Sequence, residues 1–195
     1  MEIIPAILTD DPTEFEELVG EIAKSGRFSR VQVDFIDGEY AANKTVGVEM
    51  CKSIKNYPQI KFDARLMVVQ KNLGEYVEEA KRQGFDRIIP QVESISRPEE
   101  FDCLAIDFHS PVQVLEPYLP RLKYVLVMAV EPGFGGQEFD FLTLDRVRQI
   151  GQIRHINDYK YKIGVDGGVE KEHLSVLENL GGDEVAGVAN RVLEC

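Results

Sequence analysis

Eight short apolar runs, spread along the whole chain and separated by segments of helical period, constrain this sequence more than any other feature. They lie near Ile3–Leu8, Arg30–Ile36, Lys61–Val68, Arg87–Val92, Cys103–Ile106, Tyr124–Val130, Lys162–Val165 and Glu184–Gly187. Most are continuous rather than alternating, which is the pattern of strands covered on both faces. The intervening segments predict helices. Asp11-Pro12 opens one that ends near Ser25-Gly26, and others run about Val46–Asn56, Asn72–Gln83, Pro111–Leu119, Leu142–Ile156 and Lys171–Leu180. Opening prolines and closing glycines punctuate them as helix ends require. Eight strands alternating with helices predict a single α/β domain over residues 1–195, and a closed (β/α)8 (TIM) barrel is the natural way to fold it. Two shortenings are expected. The stretch ESISRPEEFD between the fourth and fifth runs leaves room for no more than one helical turn, and the helix after the eighth run is a stub.

Composition limits the function classes. Apolar residues make up 44% and charged residues 29%, enough to bury a core and wrong for a disordered chain. The net charge of −12 argues against nucleic acid and anionic membrane, both of which demand a basic face. It also means that a phosphate must be held by local backbone amides or a placed cation, since the overall field repels it. No run approaches the roughly 18 apolar residues of a membrane span. The opening MEIIPAILTDDP lacks a basic region and turns acidic at once, so no signal peptide is expected. Cys51, Cys103 and Cys195 are odd in number and far apart, which suits a cytoplasmic protein without disulfides. Barrel faces left bare by the two shortened helices predict a homo-oligomer that covers them, with a monomer whose loops lie over those faces as the other solution.

The chemistry gathers at the ends of the strands. The sixth run continues into Gly133-Phe134-Gly135-Gly136, the seventh ends in Asp166-Gly167-Gly168 and the eighth in Gly187-Val188. Glycines there let the backbone turn its amides toward an anion, and Gly167-Gly168 is expected to lead into a helix at Val169. One such motif is an ordinary tight turn; three at successive strand ends point to a phosphate-holding rim. Asp34 stands inside the second apolar run, where an unpaired acid is costly. With Asp166 across the mouth, it could face a substrate from the opposite side, the arrangement that two-base epimerisation needs. Asp34 could equally be a structural acid bonded to the backbone or to Arg65, and Asp166 a helix cap. Asp37-Gly38 reads as a turn pair.

The pieces PAIL, VQVDFIDGEYAANKTVG, FDARLMV, VLVMAVEPGFGGQEF, VDGG and VAGVA, spread from Pro5 to Val192, closely resemble the ribulose-phosphate 3-epimerase family. That resemblance implies a barrel interconverting ribulose 5-phosphate and xylulose 5-phosphate. It implies Asp34 and Asp166 as the acid/base pair, Gly133–Gly136, Gly167, Gly168, Gly187 and Val188 around the phosphate and substrate, and Met67 and Met128 lining the pocket. The family usually binds a divalent metal (zinc, iron or manganese) through two histidines and the two aspartates. Here Gln32 and Arg65 stand in place of those histidines, and Gln91 in place of a further one. The small Ser expected near the start and the Ser after the last glycine are Ala6 and Val188.

No resident metal or other cofactor is therefore expected; if one binds, Asp34 and Asp166 are its ligands. Glutamine is a weak oxygen ligand and guanidinium stays protonated. Two readings follow. In one, a ketopentose or ketohexose phosphate is epimerised at C3 without metal, with Gln32, Met67, Gln91 and Met128 lining the pocket and Arg65 meeting the enediolate charge, at the expense of lowering the aspartate pKa values. In the other, Arg65 neutralises the two acids and the chain is a non-catalytic phosphosugar-binding relative. A lyase is disfavoured because the third run, KFDARLMV, lacks the Asp-x-Lys-x-x-Asp pattern, and no lysine ends a strand for Schiff-base chemistry.

Overall fold

The computed structural model describes residues 1–194 and resolves the eight runs into eight parallel strands: β1 (Glu2–Ile7), β2 (Arg30–Ile36), β3 (Lys61–Met67), β4 (Arg87–Pro90), β5 (Cys103–Ile106), β6 (Tyr124–Met128), β7 (Lys162–Asp166) and β8 (Glu184–Val188). They hydrogen-bond in the order β4-β3-β2-β1-β8-β7-β6-β5, and a parallel bridge between Gln91 and Ala105 joins the two ends. Five α-helices accompany them: α1 (Pro12–Ser25), α2 (Gln70–Gln83), α3 (Leu142–Asn157), α4 (Lys171–Asn179) and α5 (Ala189–Glu194). Among the described residues no helix is long and apolar enough to cross a membrane.

The helix ends follow their residues. Asp11 caps α1 by accepting from the Thr13 amide at 2.7 Å, Pro12 sits in the first turn, and Gly26 closes the helix at φ 63°. Gly84 closes α2 at φ 94°. Apolar faces of these helices bury Phe15, Leu18, Val19 and Ile22 against outward strand residues such as Val31, Val33, Phe35 and Leu66.

The inside of the barrel differs from the expectation of strands apolar on both faces. In β2 and β3 most apolar side chains pack outward against helices, while Arg30, Gln32, Asp34, Asp63 and Arg65 are buried apart from that outer core. A smaller apolar cluster of Ile89, Cys103, Ala105, Tyr124, Leu126 and Met128 fills the β4–β6 side. The sequence RVQVD alternates, and that alternation is the signature of a polar barrel interior.

Two expected helices form otherwise. Val46–Asn56 becomes a 3-10 helix over Val48–Asn56, with a non-helical kink at Cys51. Pro111–Leu119 becomes two single 3-10 turns, Val112–Val114 and Leu119–Arg121. Pro117 and Pro120 cannot donate, and their rings clash with the preceding turn, so an α-helix cannot propagate there. Between β4 and β5 two further 3-10 turns, Val92–Ser94 and Pro98–Glu100, replace a covering helix as expected. They do not leave the barrel bare: Leu104 and Ile106 of β5 are fully buried. Beside the short α5, by contrast, Ile3 remains 40% exposed.

Candidate active site

Asp34 and Asp166 sit at or near the C-terminal ends of β2 and β7, three strands apart around the barrel, and both line one cavity of about 780 Å³ at its mouth. A single donor ties them together. Gln32 Nε2, one pleat below Asp34, donates to Asp34 Oδ1 at 2.8 Å and to Asp166 Oδ2 at 2.9 Å. Arg65, the neighbour of Asp34 in the β2–β3 register, donates from Nη1 to Asp34 Oδ2 at 3.1 Å and lies 3.4 Å from Asp166 Oδ2. Both oxygens of Asp34 are thus occupied, whereas Asp166 Oδ1 has no hydrogen-bond partner among the described residues. Nε and Nη2 of Arg65 are buried and also unpartnered. Unspent donors on a buried guanidinium cost stability unless something else accepts from them.

Burial pushes the Asp34 carboxyl up to about 6, the nearby Asp166 adds to the shift, and Arg65 and the Gln32 amide only partly oppose it. Arg65 does lower Asp34, as expected, but desolvation wins, so Asp34 titrates close to neutrality. The two acids in turn hold the Arg65 guanidinium firmly protonated against its own burial.

Met67, Met128, Gly133, Phe134, Gly135, Gly136, Gly167, Gly168, Gly187 and Val188 all line the same cavity. Gly167 and Gly168 adopt φ 113° and 61°, and a side chain on Gly168 would run into the backbone of Glu138 and Phe139, so only glycine fits. Two lining expectations are corrected. Gln32 lies beneath the carboxylates, below the cavity wall, because its strand position points into the barrel one layer down. Gln91 is fully buried away from the cavity, where its Nε2 donates to Asp107 Oδ1 at 2.5 Å. A third correction concerns the β7 end. The helix begins at Lys171, as the helical period predicts, and not directly after the glycines at Val169, and Glu170 caps it in a reciprocal capping box with His173. An acid thus holds the N-terminus expected to receive an anion, and Asp166 is not the cap.

A second polar cluster beside the mouth has no signature in the sequence. Asp107, just past β5, accepts from Gln91 and from the Tyr40 hydroxyl, while Arg146 of α3 donates to the carbonyls of Met128 (2.9 Å), Asp107 (2.5 Å) and Ser110 (3.3 Å). Asn43 donates to the Gly133 carbonyl. These bonds strap the loop after β2 onto those after β5 and β6. Asp37, read as a simple turn residue, accepts from the amides of Glu39 and Tyr40 and, with its other oxygen, from Val69 N and Asn72 Nδ2. It therefore also anchors the start of α2.

A closed parallel barrel with two acids converging on a glycine-rimmed C-terminal mouth is the class that fold and site define. The chain belongs to the ribulose-phosphate 3 epimerase family, whose model matches residues 2–190. It is 29% identical over 199 residues to the ribulose-phosphate 3-epimerase of Serratia marcescens, covering 96% of this chain and 93% of that protein. To that of Escherichia coli K12 it is 30% identical over 199 residues, with 96% and 87% covered. Among solved structures, 3-keto-L-gulonate-6-phosphate decarboxylase from Vibrio cholerae superposes with a TM-score of 0.66 at 13% identity, over 96% of this chain and 87% of that one. The tryptophan synthase A-subunit from Pyrococcus furiosus does so with a TM-score of 0.66 at 16% identity, over the same shares. These two likenesses concern the fold alone. Family and relatives together make this an epimerase-like barrel.

Proposed function

We propose that the chain epimerises C3 of a ketopentose or ketohexose phosphate by passing a proton between Asp34 and Asp166, with Arg65 rather than a metal ion meeting the enediolate. The observation that carries this reading is the meeting of the two carboxylates over one Gln32 amide on the cavity floor. One carboxylate removes the C3 proton and the other returns it to the opposite face. Asp34, at about 6, can both hold and release a proton near neutral pH. The negative charge that develops on the substrate oxygen needs a preorganised donor, and Arg65, on the cavity lining beside both acids and with Nε and Nη2 unspent, is the cation placed to meet it. Amides of the Gly133–Gly136 and Gly167-Gly168 turns, together with Gly187, would hold the phosphate.

The family resemblance implies a divalent metal, and the residues present do not fit one. Gln32 turns its donating NH2, not its carbonyl, toward the carboxylates, and the Arg65 guanidinium already stands between them. A dication placed there would face a fixed positive charge. No step is therefore routed through a metal.

One observation favours a second reading, a non-catalytic phosphosugar-binding module: Arg65 Nη1 reaches both carboxylates at once and could serve only to neutralise them. Solvent deuterium incorporation at C3 of ribulose 5-phosphate separates the two. Incorporation that persists in a chelator supports the proposed chemistry. Incorporation abolished by the chelator overturns the role given to Arg65, and binding without incorporation supports the module.

A further inference from the structure

Four cations line the cavity: Arg27, Arg65, Lys171 and Arg191. Arg65 lies on the floor with the carboxylates. Arg27 is spent on the chain itself, donating to the carbonyls of Leu193 (3.1 Å) and Val192 (3.3 Å) and so pinning the end of α5 against the loop after α1. Lys171 opens α4 and, like Arg191, has no hydrogen bond or ion pair among the described residues, but only Arg191 stands against the glycine of the rim at Gly136. Arg191, on the pinned α5, has no hydrogen bond or ion pair among the described residues, and its guanidinium already reaches the glycine rim. Its Nη2 lies 4.0 Å from where a side chain on Gly136 would begin. The rim has no hydroxyl to add to its amides, because Gly187 is followed by Val188, and the chain's charge of −12 works against any anion. The nearest helix N-terminus is held by Glu170.

We propose that Arg191 is the side-chain contact of the ligand's phosphate. Its planar fork pairs with two phosphate oxygens over Gly136 and Gly187, and Arg27 positions it through α5. This rests on the reading of the rim as the phosphate seat. It gives the six-residue α5 a use beyond covering the barrel: it presents a rim cation that no described residue neutralises.

Calorimetric titration with inorganic phosphate tests the assignment independently of turnover. Arg191→Gln should weaken binding about tenfold or more, and Arg191→Lys should recover part of it, since a point charge replaces the fork. Lys160→Gln removes the same charge from a remote pair with Asp158 and should leave the affinity within about twofold of the parent, the range for a screened surface charge. With ribulose 5-phosphate, Arg191→Gln should raise KM and spare kcat, and binding of unphosphorylated ribulose should not move. Phosphate affinity unchanged in Arg191→Gln overturns the inference, even if the parent epimerises. Parent protein that binds phosphate through Arg191 but turns nothing over leaves the inference standing and overturns only the proposed reaction. Parent protein that binds no phosphate overturns the seat and Arg191 together.

Discussion

The two ends of the barrel interior use the same kinds of side chain and treat them differently. At the base, Glu184 is fully buried and receives both Nη atoms of Arg87, at 2.6 and 3.0 Å, and Lys162 Nζ at 2.7 Å. Burial pushes its carboxyl up, but these donors outweigh burial and hold it below the usual range. Arg87 also lies 4.1 Å from the centre of the Tyr124 ring. Asp63, with Arg30 and a longer 3.4 Å contact to Arg87, is still pushed up to about 7 by burial. At the mouth one guanidinium serves two acids, and it keeps two donors unspent beside an open carboxylate oxygen. Charges at the base are mostly closed on each other, while those at the mouth retain bonding capacity for a ligand. That is the expected contrast between a structural ion network and a reactive one, where residual strain is tolerated because function uses it.

The largest effect that could break this contrast belongs to the base. Glu184→Gln leaves Arg87 and Lys162 without their carboxylate and should cost about 3–5 kcal/mol of stability in denaturant unfolding, while each molecule still folded keeps its catalytic rate. Next comes Arg65→Lys, which keeps a charge but loses the fork. It should lower kcat by about 10²–10³-fold, the worth of one preorganised donor, with little loss of stability. A base variant that abolishes chemistry, or an Arg65 variant that merely unfolds, would erase the distinction between the two ends.

A smaller effect comes from pH. The folded-state pKa of Asp34 is raised from 3.8 to about 6, so the folded protein holds a proton that the unfolded chain has released. Its contribution to stability is therefore complete below about pH 4 and is lost as pH rises through 6. Asp34→Asn removes that loss. Relative to the parent, its stability should improve by about 1–3 kcal/mol between pH 4 and pH 7, read from paired thermal melts. No change in the difference between the two melts would mean that Asp34 is ionised throughout, like Glu184.

Much of the fold was legible because its signals are local. Strand runs, the Asp11-Pro12 cap and the Gly84 stop are written in adjacent residues, and β2 and β5 begin and end as expected. The helix expected at Pro111–Leu119 does not form because Pro117 and Pro120 override its apolar spacing. Asp34, Asp166 and Arg65 were legible as a group from their places at strand ends. The inward face of β2 is also written locally, as the alternation of RVQVD. Gln91, Asp107, Tyr40 and Arg146 come together only through barrel closure, so no spacing announces them. Arg191 was missed for the same reason: it becomes a rim residue only because Arg27, far away in sequence, pins α5.

The proposal of two bases working on opposite faces is tested most directly by following C3 deuterium exchange in Asp34→Asn and Asp166→Asn, each given ribulose 5-phosphate and, separately, xylulose 5-phosphate. The account predicts that neither variant completes epimerisation and that each still exchanges only one of the two substrates, a different one in each variant. If both variants exchange the same substrate, or if either one epimerises at the parent rate, Asp34 and Asp166 are not the paired bases.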